Sequence, residues 1–298
     1  MMRSSAPLNA YAAAIAGIAF FSVMDMVMKG LTLANGAYPT MLWRSLIGVV
    51  LAGALFAYHR PPWPDGPTLR LHVFRGAVTT AMALLFFWGL ARVPMAQAVA
   101  LTFIAPLIAL FLAALLLGEP IGRRTVAGSL AAFAGVIVIF IGQARSELGA
   151  EALLGSAAIL GSACIYAYNI VLMRRQALVA KPVEIALFQN LVVAAVLILG
   201  LPVAGPPPLP TGYLPELLLA ASLALTSMLL LAWAYARAGA AYLSTTEYSS
   251  FLWAIVLGWL AFGESVSPFT LGGAALIVAG CLIAARAPID HPALEATA

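Results

Sequence analysis

Ten long apolar segments follow one another along the chain, and this succession limits the possible folds more than any other feature. A helix that crosses the hydrocarbon core of a bilayer needs about 20 mostly apolar residues, and each segment has roughly that length. The segments are approximately residues 10–29, 38–58, 71–91, 95–117, 122–142, 151–173, 181–203, 213–236, 240–262 and 268–286. We therefore predict an all-α integral membrane protein with ten transmembrane helices.

The composition excludes a soluble globular protein. Only 9% of the 298 residues are charged and 63% are hydrophobic, whereas soluble domains have about 25% charged residues. Most of the surface must therefore face the lipid bilayer. The net charge of +4 is dispersed between the apolar segments, so nucleic acid is not an expected partner. We expect the first segment to stay in the protein, rather than to be removed as a signal peptide, because Asp25 interrupts it.

Basic residues between the segments predict the orientation of the chain. If the N-terminus is cytoplasmic, eleven Lys or Arg lie on the cytoplasmic side and three lie outside. The cytoplasmic residues are Arg3, Arg60, Arg70, Arg75, Arg123, Arg124, Arg174, Arg175, Lys181, Arg237 and Arg286, and the outside residues are Lys29, Arg92 and Arg145. Because cytoplasmic loops normally carry the excess, we predict that both termini are cytoplasmic.

The two halves of the chain resemble each other at a spacing of 145 residues. The matched pairs are Trp88 and Trp233, Arg92 and Arg237, Gly118 and Gly263, Glu119 and Glu264, Thr125 and Thr270, Gly128 and Gly273, and Gly135 and Gly280. Five segments in each half is an odd number, so the second half enters the membrane from the opposite side. We predict two inverted five-helix repeats, residues 10–142 and 151–286, around a central cavity that holds the substrate near the midplane.

Two motifs that occur once in each half are typical of a known family. The first is a Gly-Glu pair after the fourth segment. The second is a glycine-rich fifth segment, with the sequences GSLAAFAG (128–135) and GGAALIVAG (272–280). The chain resembles the drug/metabolite transporter superfamily, in particular its ten-span EamA-repeat members, from about residue 10 to 286. It looks most like the YddG-type exporters. The resemblance implies a secondary transporter of the bacterial inner membrane that exports neutral and aromatic amino acids by alternating access. Lipophilic cations or drugs are the alternative cargo.

Polar side chains inside the apolar segments are the candidates for the binding site. A charge at the bilayer centre costs about 2.5–3.5 kcal/mol, so it normally faces a cavity or a partner. Asp25 and Lys29 are embedded in the first segment, and Arg44 in the second. We expect Lys29 to reach the membrane surface with its long side chain. Asp25 faces the cavity in one interpretation and pairs with Lys29 or Arg44 in the other.

The predicted cavity combines both charge signs with amides and aromatic rings. Trp43-Arg44 matches Phe188-Gln189 at the same spacing of 145, and residues 244–250 form an unbroken run of polar or hydroxylated side chains. The predicted substrate-binding residues are Ser22, Asp25, Trp43, Arg44, Tyr166, Asn169, Gln189, Thr246, Glu247 and Tyr248. Such a set suits a zwitterion, with its carboxylate on Arg44 and its ammonium group on Asp25 or Glu247.

Other classes of function fit the sequence less well. The segments carry no HExxH, GxSxG or EExxR-type constellation, the chain has no Walker A motif, and His59, His72 and His291 are expected in loops or at segment ends. We therefore predict no enzymatic activity, no cofactor and no metal site. A channel would show a filter loop or pore rings, and phosphate-bearing cargo would require several embedded basic residues. Proton coupling through Asp25 or Glu247 and facilitated export are both open, as are direction and oligomeric state.

Overall fold

The computed structural model describes residues 6–105, 107–108, 123–144, 149–235, 237 and 246–285, and these residues are helical apart from short connections. The helices are α1 (Ala6–Asn35), α2 (Ala37–His59), α3 (Gly66–Leu90), α4 (Met95–Thr102), α5 (Arg123–Ala144), α6 (Gly149–Ala177), α7 (Pro182–Leu199), α8 (Leu201–Ala204), α9 (Leu214–Tyr235), α10 (Ser249–Phe262) and α11 (Pro268–Ala285). Some predicted positions lie outside the described residues: Gly118, Glu119, Arg3, Arg145, Arg286 and His291, and residues 106, 109–117, 122, 236 and 240–245 of the predicted segments.

Six of the described helices are long and apolar enough to cross a bilayer: α1, α2, α3, α6, α7 and α9. Shorter apolar stretches occupy Val126–Gly142 in α5, all of α10, and Pro268–Gly280 in α11. The predicted class, an all-helical membrane protein, is confirmed. The largest disagreement at a described segment end is in α1, which continues to Asn35, whereas the sequence predicted an end near residue 29.

Short connections with defined caps join the helices. Gly36 links α1 to α2 at a φ of 84°, and Gly263 ends α10 at a φ of 64°. Both angles lie in the left-handed region that glycine enters without a steric penalty. The carboxylate of Asp65 accepts a hydrogen bond from the backbone N–H of Thr68 at 3.0 Å and so begins α3. The turn at Gly263 places the next residue, Glu264, beside the end of α10.

The helices of the first half pack against those of the second half. α1 lies against α9, α3 against α6, α2 against α7, and α5 against α11. The tightest approach is between α5 and α11, where a Cβ on Gly135 would lie 2.5 Å from the carbonyl oxygen of Gly273, and one on Gly280 would lie 2.3 Å from that of Gly128. Small residues at such contacts let helix backbones come close together. All four glycines belong to the repeat that the sequence predicted.

The repeated tryptophan and arginine form the same local structure in both halves. The guanidinium of Arg92 lies 3.5 Å from the ring centroid of Trp88, and that of Arg237 lies 4.1 Å from the ring centroid of Trp233. In each pair the arginine Nη1 donates to the tryptophan carbonyl oxygen, at 2.9 Å and 3.1 Å respectively. The sequence match at a spacing of 145 residues therefore corresponds to a shared cation–π contact.

Candidate functional site

Asp25 of α1 and Arg44 of α2 interact electrostatically within the helical bundle. Asp25 is only 9% exposed. The two residues do not form a direct ion pair in the described structure, and the Asp25 Oδ1 and Arg44 Nε atoms are both buried with no hydrogen-bond partner among the described residues. The Nε2 atom of Gln189 on α7 has the same property. Because an unsatisfied buried polar group costs about 1–3 kcal/mol, these three predicted residues are suited to a polar ligand.

Lys29 lies inside the bundle and does not reach the membrane surface, so the predicted surface position is wrong. The residue is 4% exposed, its Nζ atom forms an ion pair with the carboxylate of Glu264, and it donates to the carbonyl oxygen of Val93 at 2.6 Å. The second oxygen of Glu264 accepts from the backbone N–H of Met95 at 2.7 Å. The error has a simple cause, since α1 extends beyond Lys29 to Asn35. The alternative pairing of Asp25 with Lys29 is also wrong.

Trp43 contacts a loop at one end of the bundle. Its indole Nε1 donates to the carbonyl oxygen of Pro208 at 2.9 Å. It lines a groove together with Leu31, Asn35, Pro39, Thr40, Pro208, Leu209, Pro210, Tyr213 and Leu217. The side chains of Trp43 and its neighbour Arg44 therefore have different surroundings: the indole faces this groove, whereas the guanidinium interacts with Asp25.

Asn169 and Tyr166 of α6 interact with Arg75, which was counted above among the cytoplasmic basic residues. Arg75 lies in the third turn of α3, where its Nε donates to Asn169 Oδ1 at 3.3 Å. Tyr166 interacts electrostatically with both Arg75 and Glu247. Arg75 thus joins two predicted site residues, and its side chain is directed at α6.

A buried polar network continues from Arg75 toward the start of α7. The Nη1 atom of Arg75 donates to Gln176 Oε1, and the Nε2 atom of Gln176 contacts His72 Nδ1. The Nε2 atom of His72 lies 2.9 Å from Glu184 Oε1. His72 lies near the start of α3, at the predicted segment end, and is only 1% exposed. The spacing of His72 and Arg75, three residues apart on one helical face, is the signal that would have found the network.

The remaining predicted residues lie on α1 and in the three positions just before α10. Ser22 and Thr246 are buried, whereas Glu247 is exposed. The ring of Tyr248 packs edge-on against Phe103, with centroids 5.4 Å apart. The structure thus brings together Asp25 with Arg44, and Tyr166 with Glu247, and it links Asn169 to the polar network.

Comparisons with known proteins agree with this architecture. A riboflavin transporter of Rhizobium johnstonii is 30% identical over 294 residues, which cover 95% of this chain and 92% of that protein. A probable transport protein of Saccharomyces cerevisiae is 33% identical over 78 residues, 26% of this chain and 22% of the yeast protein. A protein of known crystal structure superposes with a TM-score of 0.60 at 25% identity, covering 96% of this chain and 100% of the other.

The family comparison covers nearly the whole sequence. The EamA-like transporter family matches residues 8–141 and matches again over residues 153–286. Each match spans one of the two halves that the spacing of 145 residues had separated. The chain therefore belongs to the EamA-like transporter family.

Proposed function

We propose that this protein exports zwitterionic small metabolites, chiefly neutral and aromatic amino acids, by alternating access at a cavity between two inverted five-helix repeats. The observation that carries the proposal is the arrangement of Asp25 and Arg44, which interact electrostatically and yet leave buried polar atoms unpaired among the described residues. One relative is named as a riboflavin transporter and the other as a probable transport protein, which supports a transporter without enzymatic activity.

A zwitterion satisfies such a pair better than a single charge does. Its carboxylate accepts from the guanidinium of Arg44, and its ammonium group donates to Asp25, so both buried charges gain a hydrogen-bonded counter-ion. A purely cationic cargo would leave Arg44 unpaired in the membrane interior, where an isolated charge is expensive. Gln189 Nε2 is a further donor for a carboxylate. Lipophilic cations are therefore the weaker alternative.

Three observations support two inverted repeats, residues 10–142 and 151–286. The same family matches each half separately. The tryptophan–arginine contact recurs in α3 and α9. The close contact of Gly135 with Gly273 is repeated by that of Gly280 with Gly128, as a two-fold axis between α5 and α11 requires. Both termini are then cytoplasmic in our proposal, and the host membrane is the bacterial inner membrane.

The ion pair of Lys29 and Glu264 supports alternating access between these halves. Lys29 belongs to the first half and Glu264 to the second, and the pair lies at the end of the bundle where α1 meets α2. The network of His72 and Glu184 also joins the halves, at the opposite end, where α2 is followed by α3. Breaking one connection while keeping the other opens the cavity to one side at a time.

A second candidate cargo is a flavin. It is favoured by the relative from Rhizobium johnstonii, which is named as a riboflavin transporter and is similar over 95% of this chain. Riboflavin carries no net charge, so this cargo depends on hydrogen bonds to amides and on contact of its ring system with aromatic side chains such as Tyr166 and Tyr248.

The decisive experiment is uptake into proteoliposomes that contain the purified protein. Labelled phenylalanine, methionine, threonine and riboflavin are compared, each with and without a pH gradient. Asp25→Asn and Arg44→Gln test the site, and Asp65→Asn and Arg70→Gln are matched controls, since both residues are exposed. Loss of amino-acid transport in the first two variants alone supports the proposal. Riboflavin transport without amino-acid transport would show that the cargo is a flavin. Transport by Asp25→Asn at the normal rate would show that Asp25 is not part of the binding site.

A further inference from the structure

Two corners of the bundle have the same arrangement of positions but opposite polarity. We name them the polar corner and the apolar corner. The polar corner consists of Trp63, His72, Gln176, Glu184 and Phe188, and the apolar corner consists of Pro208, Leu217, Leu31, Pro39 and Trp43, each residue 145 positions from its counterpart. In the polar corner Trp63 packs on Phe188, with ring centroids 5.3 Å apart, and Phe188 stacks on His72 at 4.8 Å. In the apolar corner all five counterparts line one groove.

The apolar corner demonstrates that this fold does not need buried titratable groups at these positions. Leu31 and Leu217 are 3% and 2% exposed and pack in the hydrophobic core. His72 and Glu184 are buried as deeply, at 1% and 6%. Replacing a buried ionic pair by apolar residues is often neutral or stabilising. We therefore expect the polar residues to have a role in addition to joining the helices.

The donors and acceptors around Gln176 constrain where His72 carries its proton in this arrangement. Arginine is only a donor, so Arg75 Nη1 fixes the oxygen of the Gln176 amide on its own side. The amide nitrogen of Gln176 then faces His72 Nδ1, which must act as an acceptor. His72 is consequently neutral in this arrangement, and its proton is on Nε2, where it is donated to Glu184.

We propose that His72 is a proton-binding site, and that its protonation releases the end of α6 from α3 while it strengthens the contact of α3 with α7. When Nδ1 of His72 is protonated, it can no longer accept from the amide NH₂ group of Gln176. Rotating the amide would bring its oxygen to His72, but would turn the NH₂ group toward Arg75, which is also a donor. Gln176 therefore loses one contact in either orientation. The contact with Glu184 becomes a full ion pair between His72 and the carboxylate.

The surrounding charges allow this switch to act on the predicted substrate site. The groups that contact His72 are Glu184 from α7 and Gln176 from α6, and Gln176 is held by Arg75 from α3 itself. Arg75 also binds Asn169 and interacts electrostatically with Tyr166, which in turn interacts with Glu247. Acidification on this side is therefore transmitted along α6 to residues that we expect to contact cargo.

The inference rests on the proposed function only for its effect on transport, so its test uses no cargo. Hydrogen–deuterium exchange of the purified protein is measured between pH 7.5 and 5.5 and corrected for the intrinsic rate of chemical exchange. We expect exchange in residues 169–177 of α6 to increase on acidification, by at most about tenfold per pH unit for one proton. Exchange in residues 182–188 of α7 should stay constant or decrease. Uniform acid destabilisation would instead increase both.

Two variants and one control complete the experiment. His72→Asn keeps an acceptor near the Nδ1 position but cannot bind a proton, so residues 169–177 should lose their response to pH. Gln176→Leu, which introduces the residue of the apolar corner, should also lose it and serves if His72→Asn does not fold. His59→Asn, on the exposed end of α2, should respond like the wild type. A response that persists in His72→Asn or Gln176→Leu, or its absence from the wild type, overturns the inference. Absence of amino-acid transport with this response intact removes only the proposed cargo.

Discussion

Lys29 and Glu264 form a partly buried ion pair between residues 235 positions apart in the sequence, and the same carboxylate caps the backbone N–H at the start of α4. A single side chain of the second half thus holds two elements of the first half. The lysine is also oriented by the carbonyl oxygen of Val93 and lies over the ring of Phe262, 5.2 Å from its centroid.

Removing one partner of this pair should strongly destabilise the protein. Lys29→Met leaves the partly buried carboxylate of Glu264 without its counter-ion. We expect the free energy of unfolding to fall by about 1.5–3 kcal/mol, the range for hydrogen bonds to charged groups. The measurement is thermal or denaturant unfolding in detergent. Glu151→Gln is the control. Glu151 pairs with Arg92 in a solvent-exposed ion pair, which should contribute only about 0–1 kcal/mol to the free energy of unfolding. Equal effects of the two substitutions would contradict the assigned role of Lys29.

Asp25→Asn should separate transport from stability. The substitution removes the charge that we assign to the ammonium group of the cargo, and a charge-assisted hydrogen bond contributes about 1.5–3 kcal/mol. Transport at low substrate concentration should therefore fall by about 10- to 150-fold. The unfolding temperature should not fall, because a buried carboxylate oxygen with no partner among the described residues is replaced by a neutral group. A loss of transport together with a lower unfolding temperature in Asp25→Asn would indicate a structural role for Asp25.

Two adjacent glycines of α11 should respond in opposite ways to alanine. A Cβ on Gly273 would lie 2.6 Å from the carbonyl oxygen of Gly135 and 2.5 Å from the side chain of Ile139, whereas a Cβ on Gly272 meets nothing within 4 Å. We expect Gly273→Ala to destabilise the protein by about 1–3 kcal/mol through overpacking. Gly272→Ala should be neutral or stabilise α11 by up to about 1 kcal/mol through its helix propensity. Unfolding measurements on both variants test the α5–α11 contact directly.

The cap at the start of α3 predicts a dependence on pH. Hydrogen bonds from Thr68 lower the pKa of Asp65 below its ordinary value of 3.8. The cap therefore contributes stability above that pH, and the contribution is lost as the pH falls through the lower pKa of the folded protein. Asp65→Ala should reduce the unfolding temperature at neutral pH, and the difference from the wild type should disappear in strong acid. Asp65→Asn, which still caps the helix, should show a smaller effect at neutral pH.

The apolar segments predicted the described helices well, because about 20 apolar residues in a chain with so few charges have few alternatives to crossing a bilayer. The repeat was visible because glycines at helix contacts and the tryptophan–arginine pair depend on local geometry that both halves share. The burial of Lys29 and of His72 could not be predicted from the sequence, for a common reason. Each lies near a segment end by hydropathy, and its burial depends on partners, Glu264 and Glu184, that are more than 100 residues away.

The polar network shows the same limit of sequence reasoning. Gln176 and Glu184 lie at the junction of α6 and α7, where polar residues normally face water, and only the packing of α3 against both helices buries them. The positions of Asp25 and Arg44 inside the bundle, by contrast, could be predicted, because both charges interrupt long apolar segments from within.

The tryptophan–arginine contact bears on how such a chain chooses its direction of insertion. In inverted repeats, as proposed, Arg92 near the end of α3 and Arg237 near the end of α9 lie on opposite membrane faces. The motif then adds one positive charge to each membrane face, so it does not change the difference in positive charge between the two faces. Insertion direction is thus decided by basic residues outside the duplicated contact, such as Arg60 and Arg70, and a duplicated half can reverse its direction by changing loop residues while its helix contacts stay intact.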